Sequence, residues 1–101
     1  MKIYLSGPIT GKKNHEAIFN DWAKRLRAKG YIVVNPVHEC RDLIHKCPAV
    51  TWTQCMGRLL PMLEKVDAVA TLPGWDTSRG ALREVEYAKK LGIICADIDF
   101  Y

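Results

Sequence analysis

Lys2-Ile3-Tyr4-Leu5-Ser6-Gly7-Pro8-Ile9-Thr10-Gly11 is the stretch that decides the fold. Ile3, Tyr4 and Leu5 are consecutive and apolar, as in a strand buried on both faces, and Gly7-Pro8 stops the run. The period then changes. From about Asn14 to Lys29, Ile18, Phe19, Trp22 and Leu26 share one helical face, while Lys24, Arg25 and Arg27 lie mostly elsewhere. Gly30 ends that helix in the left-handed manner, and Tyr31 to Val34 reads as a second strand closed by Asn35-Pro36. A buried strand, a helix and a second strand in succession are the unit from which α/β proteins are built.

The same alternation continues outward. Residues 37–50 are polar, aperiodic and carry Cys and His, which reads as a loop. Trp52, Met56, Leu59, Leu60 and Leu63 recur at helical spacing, and Pro61 predicts a kink or a restart because it cannot donate to the Gly57 carbonyl. Asp67 to Thr71 is a third strand. Leu72 to Thr77 is a loop, Ser78 an N-cap, and a helix runs to Leu91 with Gly92 at its C-terminal end. Ile93 to Ala96 makes a fourth strand. The expectation is a four- to five-stranded, mostly parallel sheet covered by helices on both faces, a Rossmann-like three-layer sandwich with right-handed crossovers. Ligands in such sheets bind beyond the C-terminal ends of the strands, here Ser6 to Thr10, Asn35 to Glu39, and Leu72 to Ser78.

At 101 residues and 49% apolar composition, the chain is one globular domain. A domain this small buries about 60–68% of its unfolded surface, so a partner subunit would add stability. No apolar run approaches the roughly 20 residues of a membrane span, and the N-terminus lacks the pattern of a signal peptide. The expected location is the cytoplasm. The four cysteines, Cys40, Cys47, Cys55 and Cys95, are then expected as free thiols. A net charge of +4 suits a small anionic ligand and is too weak and dispersed for a nucleic-acid polymer.

Glu84 and Glu86 separate by helix geometry. With Ala81, Val85, Ala88 and Gly92 as the inward stripe, Glu84 lies about 60° from its centre and Glu86 about 140° away, at the solvent face. Glu86 is placed to pair with Arg83 or Lys90. Glu84 sits at the margin of a packed face, where burial would make it a nucleophile or base; alternatively its stem packs and its head finds water. Thr77-Ser78-Arg79-Gly80 offers a hydroxyl, a guanidinium and free backbone N–H groups at a helix start, which can hold phosphate without a metal. The same residues serve equally as a cap and a solubilising charge. Ser6-Gly7-Pro8-Ile9-Thr10-Gly11 is neither a dinucleotide fingerprint nor a Walker loop, and reads either as a close backbone approach to a ligand or as a structural turn. Tyr4 can reach a carboxylate over the sheet edge, or simply fill the core. Trp75 can stack on a base and Asp76 can hydrogen-bond a sugar or base, unless Trp75 only plugs the loop. His38, Cys40, His45 and Cys47 lack the hairpin spacing of a tetrahedral zinc knuckle and read as a polar loop at the pocket mouth. Trp22 and Trp52 read as core.

These residues resemble a known family. The opening segment from Lys2 to Gly11, Phe19-Asn20, Leu26-Arg27, Gly30 and Val33-Val34-Asn35-Pro36 are similar to the DUF4406 family. So are Asp67-Ala68-Val69, Leu72-Pro73-Gly74-Trp75, Ser78-Arg79-Gly80-Ala81 and Glu84. That family is related to nucleoside 2-deoxyribosyltransferases and to 2'-deoxynucleoside 5'-monophosphate N-glycosidases. The resemblance implies a flavodoxin-like fold, a nucleophile at Glu84 that attacks C1' of deoxyribose, and a tyrosine at Tyr4 that hydrogen-bonds it. It also implies that Ser78 and Gly80 help hold a 5'-phosphate, that no cofactor or metal is needed, and that the protein is a homodimer or higher homo-oligomer. Two positions depart from the pattern. Leu59 stands where the enzymes carry a middle-helix aspartate near the base, leaving Asp76 as the stand-in, and Thr10 stands where the monophosphate glycosidases carry a basic residue. The expected activity is cleavage or transfer at the N-glycosidic bond of a 2'-deoxynucleoside or its 5'-monophosphate. The catalytic set is Glu84, Tyr4 and Asp76; Ser6, Gly7, Pro8, Thr10, Trp75, Ser78, Arg79 and Gly80 bind substrate. The competing reading is a nucleotide-binding module without turnover, and the remaining one a structural or protein-interaction subunit.

Overall fold

The computed structural model describes residues 1–7, 15–39 and 52–101. In chain order the elements are β1 (Lys2–Ser6), α1 (His15–Ala28), β2 (Ile32–Val34), α2 (Pro36–Glu39), α3 (Trp52–Leu63), β3 (Ala68–Thr71), α4 (Arg79–Lys90) and β4 (Ile94–Asp97). Two 3-10 turns, Trp75–Thr77 and Ile98–Phe100, follow β3 and β4. The four strands form one parallel sheet in the order β2-β1-β3-β4, so the fold is α/β and Rossmann-like.

Strands β1 and β3 occupy the centre, and their residues are buried from Ile3 to Ser6 and from Ala68 to Thr71. Alternate side chains feed two cores. Ile3, Leu5, Val33, Ala68 and Ala70 meet α1 through Phe19, Ala23 and Leu26. Tyr4 and Val69 face the other way, onto Leu59 and Leu63 of α3 and Ala88 of α4. Each of the larger apolar side chains contributes about 1.5–3 kcal/mol on burial, which is why a near-continuous apolar strand is stable only between two helical layers.

The inward stripe of α1 is Phe19, Ala23 and Leu26; Ile18 is 38% exposed and so lies off the face that its spacing suggested. Ala23 presents a small side chain to the sheet and is fully buried, which seats the helix on that line rather than on Ile18. Trp22 is half-buried rather than core, and the Arg25 guanidinium lies 4.9 Å from its ring centroid. Large rings are seldom wholly enclosed, and a cation over the exposed face is a favourable alternative. The C-terminal turn completes this layer: Ile98 is buried in the α1-side core, Tyr101 Oη donates to the Val69 carbonyl at 3.2 Å, and Lys29 Nζ donates to the Tyr101 carbonyl at 3.1 Å.

Residues Pro36 to Glu39 form a short helix where an aperiodic loop was expected. Asn35 Oδ1 accepts from the Val37 N–H at 3.1 Å and Pro36 brings a preset φ, so a cap followed by proline starts the turn locally. Helix α3 continues through Pro61 to Leu63 as a single element. The proline falls in its last turn, where only the Gly57 carbonyl loses a partner. Gly30 and Gly92, at φ 97° and 79°, follow α1 and α4 as the left-handed residues that the sequence marks. No helix among the described residues is long and apolar enough to cross a membrane.

Candidate functional site

Ser6, Thr71 and Asp97 are register partners across β1, β3 and β4, and each ends its strand. Paired residues of a sheet point to one face, and this row shares the face of Tyr4, beneath α4. The C-terminal rim of the sheet therefore presents a hydroxyl, a hydroxyl and a carboxylate to the helix that carries Glu84.

Glu84 is 3% exposed and turned inward. Its carboxylate is held from both sides: Ser6 Oγ donates to Oε1 at 2.9 Å, and Tyr4 Oη donates to Oε2. Ser6 also approaches the Ala81 carbonyl at 3.4 Å, so β1 and the first turns of α4 are joined through one hydroxyl. Burial raises the Glu84 pKa to about 7 because a charged carboxylate is costly away from water, and the Tyr4 and Ser6 hydrogen bonds pull it back down. The result is a carboxyl that exchanges its proton near neutrality while both oxygens keep fixed positions. Glu86, by contrast, is exposed and lies 3.8 Å from Lys90, one of the two partners expected.

The turn before α4 is ordered by its own backbone. Gly74 sits at φ 85° before the 3-10 turn, and the Thr77 hydroxyl donates to its carbonyl at 2.7 Å. Ser78 is the N-cap, its Oγ accepting from the Ala81 N–H at 3.3 Å. Capping uses one lone pair of the Ser78 hydroxyl, while Arg79 is exposed and Gly80 half-buried at the helix start. Asp76 is exposed, and among the described residues its carboxylate makes no hydrogen bond or ion pair. Trp75 is half-buried and walls a groove of about 260 Å³ that also includes Thr71, Val85, Lys89 and Asp97.

Gly7 is buried directly after β1, and a Cβ there would stand 2.8 Å from the Leu72 Cβ. The close approach at this glycine is therefore to the end of β3. Pro8 and Thr10 lie outside the described residues, as do Cys40, His45 and Cys47, and the side chains of His38, Trp52, Cys55 and Met56. Cys95 is a free thiol, half-buried behind α4 and pushed above the usual thiol range by burial. No group of three potential metal ligands occurs among the described residues. Leu59 is 1% exposed and packed in the core with Tyr4, Leu63 and Val69, so no carboxylate approaches Glu84 from that position.

Two of the expected site residues, Tyr4 and Ser6, thus converge on Glu84, while Trp75 lines the neighbouring groove with Thr71 and Val85. Thr71 and Asp97 escaped the sequence reading. The signal that could have found Asp97 is an acidic residue placed directly after an apolar strand, at the rim where α/β sheets bind ligands.

The four-stranded parallel sheet with its covering helices places the protein in the α/β, Rossmann-like class. The chain belongs to the family described as a domain of unknown function, DUF4406, whose sequence profile matches residues 1–97. No curated protein matches it at a significant level.

Proposed function

We propose that the protein cleaves or transfers the N-glycosidic bond of a 2'-deoxynucleoside or its 5'-monophosphate, with Glu84 as nucleophile. The observation that carries this reading is the Glu84 carboxyl, buried, fixed by Tyr4 and Ser6, and raised to a pKa of about 7. It is supported by the likeness of Tyr4 and Ser78 to Glu84 to the deoxyribosyltransferases and monophosphate glycosidases.

Breaking the bond between C1' and the base nitrogen passes through an oxocarbenium-like state. An ionised Glu84 oxygen beside C1' stabilises that positive charge and closes on it, so the new C1'–O bond forms as the C1'–N pair departs with the base. The base takes up a proton from solvent or from a donor beside it. In the second step water adds at C1', the ester bond breaks back to the Glu84 carboxylate, and the water's proton is released; a second base in place of water gives transfer. Tyr4 and Ser6 hold the carboxylate oxygens throughout and lower its basicity enough to ionise near pH 7. The first turn of α4 supplies backbone donors suited to a 5'-phosphate, with Arg79 beside them.

One observation favours the second reading, a nucleotide-binding module without turnover. Leu59 is sealed in the core, so no middle-helix acid assists the departing base. Incubating the protein with a panel of deoxynucleosides and their monophosphates, and following free base by chromatography, separates the two. Base release that vanishes in Glu84→Gln and rises with pH through about 7 is the expected result. Binding retained in Glu84→Gln with no base formed by either chain would install the binding module instead.

A further inference from the structure

We infer that the groove beside Trp75 is a subsite for a flat heterocycle carrying an exocyclic amino group, with Asp97 as the acceptor that selects it. This deepens the glycosidic reading and rests on it for the source of the occupant, the base portion of the substrate.

The groove encloses about 260 Å³, the scale of a single ring system rather than of a whole nucleotide. Its walls differ in kind. Trp75 contributes its indole ring, a surface on which a planar ring gains from stacking, and Val85 contributes apolar contact. At the rim Asp97 offers a carboxylate fixed by a hydrogen bond, since Thr71 Oγ1 donates to Oδ1 at 3.0 Å. Thr71 is itself buried and shares its proton with the Ala96 carbonyl at 3.3 Å, so the orientation of Asp97 is set by the sheet. Among the described residues, Asp97 Oδ2 has no hydrogen-bond partner. An ionised carboxylate only accepts, so the matching edge of a ligand must donate; an amino group does and a ring carbonyl does not. Lys89, across the groove, is a donor for a ring acceptor or a neutraliser of charge on the departing base.

The groove is also where a base would have to be. Ser6 and Asp97 are two strands apart in one register row, about 10 Å between Cα atoms at the usual strand spacing of about 4.8 Å. Ser6 holds Glu84, and Val85, the next residue, lines the groove. A sugar seated at Glu84 therefore has a base-sized recess one strand further on, over Thr71.

The test uses the full chain and free bases, so it does not need turnover. Adenine and cytosine are compared with hypoxanthine and uracil by NMR titration, reading the Trp75 indole N–H, assigned through Trp75→Phe. Expected are shifts at Trp75 with the amino bases favoured by about tenfold or more, and a reversed preference in Asp97→Asn, whose amide can donate to a carbonyl. Asp97 is exposed, so the variant keeps the fold; unchanged spectra elsewhere verify that. Bases that leave Trp75 unmoved, or an unaltered preference in Asp97→Asn, overturn the subsite. Base release from nucleotides with the same preference in both chains would remove the subsite and keep the cleavage. Amino-base binding at Trp75 with no release from any nucleotide would remove the cleavage and keep the subsite.

Discussion

Glu84→Gln should make the protein more stable at pH 8 and change its stability little at pH 4. In the folded chain this carboxyl titrates at about 7, against 4.5 for the ordinary group, because burial penalises the charge. Between those two values the folded state binds the proton more tightly than the unfolded state. Stability from this residue is therefore fully present below about pH 4.5 and is lost as pH rises through about 7. A shift from 4.5 to about 7, at about 1.4 kcal/mol per unit, makes the loss on the order of 3 kcal/mol. Glutamine keeps the shape, its Oε1 accepts from one of the two hydroxyls and its amide N–H donates to the other, and it carries no charge to bury. The difference in unfolding free energy between the two chains should accordingly be near its minimum at pH 4 and grow by about 3 kcal/mol by pH 8. For a chain of this size that corresponds to a separation in Tm on the order of 15 °C. Urea and thermal melts of both chains, followed by far-UV circular dichroism at half-unit pH steps, measure it. Other titrating groups are common to both chains and cancel in the difference. A difference flat across pH 4–8, or one that shrinks as pH rises, would refute the burial of an ionisable carboxylate over β1.

Tyr4→Phe and Ser6→Ala each remove a donor that lowers the Glu84 pKa, so each should move it above about 7; carbon-detected NMR titration of the glutamate carboxyl shows this, and an unmoved midpoint would break the proposed pairing. Gly7→Ala forces a Cβ to 2.8 Å from the Leu72 Cβ, at a cost of about 1–3 kcal/mol in a urea melt, with wild-type stability as the contrary result. Ser78→Ala takes the cap from the Ala81 N–H and should cost about 1 kcal/mol, whereas Ser78→Gly should cost only a few tenths. Equal losses for the two would indicate that the hydroxyl does something other than cap α4.

The sequence by itself determined the order and type of the four strands and of the three longer helices, though not the short helix α2. Apolar runs such as Ile3-Tyr4-Leu5 and Ala68-Val69-Ala70 have one stable use, between helices, and the glycines after α1 and α4 mark where those helices stop. It also determined that Glu84 and Glu86 part company, since helical period alone carries one toward Ala81 and Ala88 and the other to solvent. It could not say which line of α1 faces the sheet, because Ile18 and Ala23 compete and close packing favours the smaller side chain. Nor could it order the strands. Tyr4 and Ser6 lie about 80 residues from Glu84, and Thr71 lies 26 from Asp97; only the parallel register of β1, β3 and β4 brings them into one rim. Local pattern records what each residue prefers, whereas hydrogen bonds between distant strands are fixed by how the two layers close on the sheet, and that closure is a property of the whole chain.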